Sequence, residues 1–213
     1  MHVKARLYWS GVLGLLSATA HAQSAEEVMV QSGRMFQRQL DAPASVSVID
    51  GDAIRNAGPQ VNLSEALSQV PGVVALNRNN YAQDVQISIR GFGARAPFGL
   101  RGIRLITDGI PATIPDGQGQ ASTVSLTSAE RIEVLTGPLA QLYGNSAGGV
   151  IQTTTREAGA QPQADAQVTL GSHGLRRTDW QASGRAGHVG IVADYSTFQT
   201  DGYRAGSAAE RKQ

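Results

Sequence analysis

No cysteine occurs anywhere in the 213 residues. Disulfides, Cys-based zinc sites, iron–sulfur clusters and a thiol nucleophile are thereby excluded. Aromatic residues make up 5% of the chain, too few for a base-stacking platform, and a formal net charge of +1 advertises no polyanion, so nucleic acid is set aside as a partner. Lysine is almost missing. Lys4 and Lys212 are the only two, and the other sixteen basic residues are arginine. That bias suits fixed bidentate recognition and ion pairing better than general solubility. No apolar run is long enough for a transmembrane helix, which needs about 20 residues.

What is present begins with a leader. His2, Lys4 and Arg6 precede an apolar stretch from Leu7 to Ala18, and Ala20-His21-Ala22 then forms the small-x-small pattern of a signal-peptidase site. Residues 1–22 read as a signal peptide, cut between Ala22 and Gln23. The remainder crosses the inner membrane. Its destinations are the periplasm, the exterior or a β-barrel in an outer membrane.

The rest divides into a polar tail, a compact middle and a repetitive end. Residues 23–40 are polar, with one extended apolar patch at Glu26-Glu27-Val28-Met29-Val30, and Pro43 closes this tail. From Ala44 to about Thr155, short strands alternate with turns and helical pieces. Ser45–Ile49 and Val85–Ile89 alternate as half-buried strands do. Asn62-Leu63-Ser64-Glu65 has capping-box spacing, opening a helix that carries Leu63, Ala66, Leu67 and Val70 on one face. Ile103–Ile106 is another strand, turning at Asp108-Gly109, and Arg131–Leu135 and Val150–Thr154 complete a mixed α+β unit. After Pro162 the pattern changes to three strands of roughly ten residues joined by short turns, apolar on one face and polar on the other. A transmembrane barrel and a one-sided soluble sheet share that period.

Two motifs invite chemistry. Gly144-Asn145-Ser146-Ala147-Gly148 fits the nucleophile elbow of serine hydrolases, and Asp165 or Asp179 followed by His188 completes a triad order. The elbow requires a strand before the serine and a helix after it, and the patterns here run the other way. Arg90, Arg95, Arg101 and Arg104 fall within one Gly-rich stretch containing no acidic residue. They read either as arginines paired with acids elsewhere or as a guanidinium-rich mouth for a small anionic ligand, with Phe98 as an apolar contact.

The order of short motifs is more specific than any one of them. Ser88-Ile89-Arg90-Gly91, Asp108-Gly109-Ile110-Pro111, Arg131-Ile132-Glu133-Val134, Gly137-Pro138, Leu142-Tyr143-Gly144 and Gly148-Gly149-Val150-Ile151 together resemble the plug domain of TonB-dependent outer-membrane receptors. The resemblance covers about residues 44–155. It implies an α+β plug domain followed by the first antiparallel strands of a 22-stranded transmembrane β-barrel. The implied division is signal peptide 1–22, TonB box and linker 23–43, plug 44–158 and start of the barrel 159–213.

By the same resemblance, Glu26, Glu27, Val28, Met29 and Val30 form a TonB box on the periplasmic side. Such a box pairs as a strand with the TonB energy-coupling protein and its inner-membrane partners. The location implied is the outer membrane of a Gram-negative cell, with outer-membrane lipid around the barrel. Gly91–Gly102 and Pro111–Ala121 become apical loops, in which Arg95, Phe98, Arg101, Gln118 and Gln120 meet the ligand. Arg90, Arg131 and Glu133 become plug residues paired with charges on the barrel wall. Thr136 departs from the family, which usually has Arg before Gly137-Pro138, so one such pair is expected to be missing. Residues 91–120 look closest to receptors for pyrroloquinoline quinone, with ferric-citrate and ferric-siderophore receptors as neighbours. No enzymatic activity, resident metal or cofactor is implied.

Three strands cannot close a barrel whose strands alone take over about 200 residues. The chain is therefore expected to be a piece of a longer transporter or a truncated product, incompetent for transport alone. A stand-alone, plug-like periplasmic binding module and a serine hydrolase acting through Ser146 are the competing readings.

Overall fold

A computed structural model describes residues 28–32, 35–42, 44–77, 80–81, 83–97, 99–137 and 139–213. The leader, its cleavage point and Glu26 and Glu27 lie outside the described residues, as do Phe98 and Pro138.

The tail expected to be polar and extended instead holds a hairpin. Strand β1 (Met29–Ser32) pairs with β2 (Met35–Arg38), antiparallel, Ser32 opposite Met35. The reason is Val30. Its side chain is fully buried, in a small cluster with Val46, Ile106, Leu135, Tyr143 and Val150. One anchored apolar side chain is enough to fold a short ribbon down onto the domain.

Strand β3 (Ser45–Asp50) runs straight into helix α1 (Gly51–Asn56), and Asp50 makes the junction, its Oδ1 accepting from Ala53 N at 2.7 Å. Helix α2 (Leu63–Leu67) opens as the capping spacing predicts: Glu65 Oε1 accepts from Asn62 N at 3.0 Å and Val61 N at 3.1 Å. It is shorter than the apolar pattern suggests. It ends at Leu67, and Val70 reaches the core from the turn beyond it. Pro71 explains this, because the residue before a proline avoids helical geometry.

The next elements are β4 (Val73–Leu76), β5 (Gln86–Ile89), β6 (Leu100–Arg101), β7 (Ile103–Thr107), β8 (Ile110–Pro111) and β9 (Gln118–Gly119). The long β10 (Ala129–Thr136), α3 (Ala140–Tyr143) and β11 (Gly149–Thr155) follow. The main sheet has the order β3-β10-β11-β7-β8, with β11 and β7 parallel and the other pairs antiparallel. Asp108 and Gly109 turn β7 into β8 with φ of 49° and 79°, the left-handed pair a two-residue hairpin demands. The Asp108 carboxylate also binds Thr155 N at 2.7 Å and Thr155 Oγ1 at 2.6 Å, tying the turn to the end of β11.

One face of this sheet offers Ile49, Ile103, Leu105, Ile132, Val134 and Ile151 to α1, α2, β4 and β5. That is the main core. Gly149 is required by it: its φ is 144°, and a Cβ there would run into the Leu135 carbonyl of the neighbouring strand.

Beyond residue 162 lies a second, purely antiparallel sheet: β12 (Gln163–Leu170), β13 (Arg176–Ala186), β14 (Val189–Thr200) and β15 (Ala209–Lys212), in that order. The expected count of three strands is therefore corrected to four. The fourth, Ala209–Lys212, pairs with β14 from Thr200↔Ala209 to Thr197↔Lys212. The alternation in this sheet is inverted with respect to a soluble domain. Val168, Leu170, Trp180, Ile191 and Tyr195 are exposed, while Arg177, Asp179, Ser196 and Phe198 are buried against the first unit.

Candidate functional site

The two Gly-rich stretches meet through a ladder of two rungs. Leu100 pairs with Gly119 and Arg101 with Gln118. This closure requires bare backbone, since a Cβ on Gly99 would sit 2.6 Å from the Gly119 carbonyl oxygen. A depression of about 530 Å³ opens beside the ladder, lined by Phe92, Arg95, Arg101, Asp116 and Asn145 among others. A second cavity of about 470 Å³ adjoins it through Arg101, and is lined by Asp84, Leu100, Ile114, Gln118 and Gln120. Arg95 and Arg101 thus share one mouth, and Gln118 and Gln120 share the next. Asp116 holds the loop in shape, with Oδ1 accepting from Gln118 N at 2.9 Å and its carbonyl from Asn145 Nδ2 at 3.0 Å. Arg90 stands apart, in a left-handed turn with φ of 49°, its N–H on Gly72 O.

The extended patch at 26–30 is described from Val28 onward. Val28 O accepts from Gln39 N and Val30 is buried. In this register the backbone groups of Met29 point away from β2, and Arg131 Nη1 donates to Met29 O at 3.2 Å. Arg131 also pairs through Nε with Glu133 Oε1 at 3.1 Å, on its own strand, and Glu133 is fully buried. Arg131 therefore joins β10 to the hairpin.

The contacts between the two sheets come mostly from residues the sequence did not single out. Arg177, on β13, is 2% exposed. Its Nε binds Asp179, Nη1 donates to Gln60 O at 2.6 Å and Nη2 to Thr127 Oγ1 at 2.8 Å. Gln60 presents that carbonyl from a left-handed conformation with φ of 57°. Thr127 Oγ1 also donates to Asp179 Oδ1 at 3.1 Å, and Ser125 Oγ donates to Asp194 Oδ2 at 3.0 Å. Behind Gln60 lies Glu65. Burial holds its carboxyl above the ordinary carboxylate range, against the opposing pull of its backbone N–H donors and of Arg177. The missed signal is the alternation Ser125-Leu126-Thr127. Val124 and Leu126 enter the core while Ser125 and Thr127 face the second sheet.

A compact α+β unit docked through hydroxyls and carbonyls onto the charged face of an inside-out antiparallel sheet is the arrangement the motif order implied. The sequence matches the family described as TonB-dependent Receptor Plug Domain over residues 38–150. The chain belongs to the TonB-dependent outer-membrane receptors. The iron-regulated outer membrane virulence protein of Vibrio cholerae is 32% identical over 91% of this chain and 30% of its own length. The vitamin B12 transporter of Vibrio vulnificus is 28% identical over 88% of this chain and 30% of its own length. A solved ferric enterobactin receptor of Pseudomonas aeruginosa superposes with a TM-score of 0.57 at 26% identity, over 74% of this chain and 25% of that one. The chain thus spans about a third of the length of these relatives. It carries the plug and four barrel strands of a receptor located in the outer membrane.

Two features gain meaning within the family. Thr136, where the resemblance leads one to expect an arginine, donates Oγ1 to Ser45 O at 3.3 Å, spending its polarity within the plug sheet. Ser146 is fully buried between α3 and β11, with Oγ donating to Gly144 O at 3.2 Å. A helix precedes this serine and a strand follows it, the reverse of an elbow, and Asp179 is held by Arg177.

Proposed function

We propose that this chain is the plug-bearing part of a receptor for active uptake of a small anionic ligand across the outer membrane. Pyrroloquinoline quinone, ferric citrate and a ferric siderophore are the ligand classes. The observation that carries the reading is the mouth in which Arg95 and Arg101 face one depression, with Gln118 and Gln120 in the cavity beside it. Two guanidiniums present several N–H donors to carboxylate or catecholate oxygens. One relative is named a ferric enterobactin receptor, which supports a ferric-siderophore ligand, and another a vitamin B12 transporter, which supports uptake without bearing on the charge of the ligand.

Energy enters at residues 26–30. The box pairs with a strand of the TonB protein through its backbone, and the inner-membrane partners of TonB supply the force. Arg90, Arg131 and Glu133 are the plug residues that meet charges on the barrel wall; Arg131 and Glu133 also pair with each other on β10, and Arg90 is an exposed turn residue. The protein is a transporter and not an enzyme, a reading supported by the buried, internally bonded Ser146. A free-standing plug module is disfavoured by the buried guanidinium of Arg177, which takes Gln60 and Thr127 of the plug as partners.

The test uses the receptor as its gene encodes it. Titration with pyrroloquinoline quinone, ferric citrate and ferric enterobactin is expected to give one saturable ligand. Its affinity should fall about tenfold in Arg95→Ala or Arg101→Ala, the loss of one charge-assisted contact. Unchanged affinity in both variants removes the Arg mouth. Val28→Pro deletes a backbone donor from the box and is expected to abolish uptake while leaving binding intact. Normal uptake in that variant removes the box assignment.

A further inference from the structure

The backbone of one plug residue is gripped from two sides. Ser122 donates its N–H to Asp84 Oδ1 at 3.3 Å. Its carbonyl accepts from Arg211 Nη2 and from Gln213 Nε2. Arg211 spends its other terminal nitrogen on Val61 O, at 3.1 Å. Arg211 belongs to β15, opposite Phe198 on the plug-facing side of the sheet. A single planar guanidinium therefore fastens two plug segments, about sixty residues apart in sequence, to one spot on the wall.

The position of Ser122 gives this staple a consequence. Ser122 directly follows the loop 111–121, whose Gln118 and Gln120 line the smaller cavity beside Asp84 and Arg101. Asp84 is thus both a lining residue and the holder of the Ser122 N–H. The loop is anchored at its other end by the β7–β8 turn and internally by Ile114 N on Gln118 O. Arg211 itself does not line the cavity.

We propose that Arg211 is the positioning residue of the ligand-facing loop. By holding Ser122 O and Val61 O together it sets where Gln118 and Gln120 stand relative to Arg101 and Asp84. The inference rests on the reading of this cavity as the ligand site. Arginine is needed because lysine offers one compact charge and cannot span two carbonyls in a fixed plane.

Hydrogen exchange and ligand titration on the same receptor, as its gene encodes it and in detergent, test the assignment. The variants are Arg211→Ala and Arg211→Lys, with Gln199→Ala on the outward face as a control. In Arg211→Ala the amides of Ile114, Gly117, Gln118, Ser122 and Val124 are expected to exchange about tenfold faster or more, while those of β10 and β11 keep wild-type protection. Affinity for whichever of pyrroloquinoline quinone, ferric citrate or ferric enterobactin the wild type binds should fall about tenfold. Arg211→Lys should shift both readouts in the same direction by less, and it carries the test if the alanine variant does not fold. Wild-type exchange over 113–124 in both variants overturns the proposal. So does a loosened loop with unchanged affinity. A wild-type receptor that binds none of the three probes sinks the proposed function instead, and the exchange rates alone then decide whether Arg211 holds the loop.

Discussion

In the plug, Leu105, Ile132 and Ile151 are fully buried between sheet and helices, whereas in the wall Leu170, Ile191 and Trp180 are 73%, 64% and 58% exposed. The charges are reversed as well. Arg101 and Arg55 lie outward in the plug, while Arg177 is the largest fully buried side chain among the described residues. Both sheets alternate with the same period of two. What differs is the medium on each side. The plug faces water and hides its apolar row; the wall faces lipid and hides its polar row. Alternation alone therefore says that a sheet has two faces, and the identity of the partner says which one is inside.

The sharpest break of that comparison uses two neighbours of identical chemistry. Arg176 is exposed on β13 and Arg177 is buried on the other face. Arg177→Ala strands Asp179 without its cationic partner and strips donors from Gln60 O and Thr127 Oγ1, so a loss of about 3–5 kcal/mol is expected. Arg176→Ala should stay within about 0.5 kcal/mol of wild type. Denaturation midpoints in detergent separate the two, and equal losses would erase the inside-out assignment.

Leucines provide the next contrast. Leu105→Ala empties the plug core and should cost about 2–5 kcal/mol. Leu170→Ala, on the outward face, should change stability by less than about 0.5 kcal/mol. A large effect at Leu170 would mean that this face packs against protein.

The smallest expected effect is a dependence on pH. Burial raises the Glu65 carboxyl, so the folded plug holds that proton more tightly than the unfolded chain does. The stability Glu65 contributes is fully present below the ordinary carboxylate value of 4.5 and is lost as pH rises through the raised folded value. Glu65→Gln keeps an oxygen for Val61 N and Asn62 N and should flatten this slope. Identical slopes in variant and wild type would show that Glu65 does not titrate in the window.

Much of the plug was legible in the sequence because its signals are local. The Asp108-Gly109 turn, the Asn62–Glu65 cap and the alternation in Val85–Ile89 each act within a few residues. The elements that escaped depend on distant partners. β15 is four residues of which three are charged, and only its register with β14 makes it a strand. The hairpin at 29–38 is fixed by Val30 entering a cluster with side chains from five other segments. Of the site, the mouth residues Arg95 and Arg101 announced themselves as a cluster. Arg211 did not, because it binds backbone carbonyls, which any residue type supplies, and Arg177 did not, because its plug partners Gln60 and Thr127 lie fifty or more residues before it.

The order of strands in the plug sheet also sets a timetable. β3 forms the edge of the sheet and its sole sheet neighbour is β10, whose first residue comes about eighty residues later in the chain. A polypeptide emerging from its amino end must carry Val46 and Ile49 without their shelter until that later stretch has been made. Pairings over such separations close slowly, on the scale of milliseconds to seconds. The strand of the main sheet that emerges first thus waits for its partner, and the interval leaves a sticky strand in need of an escort.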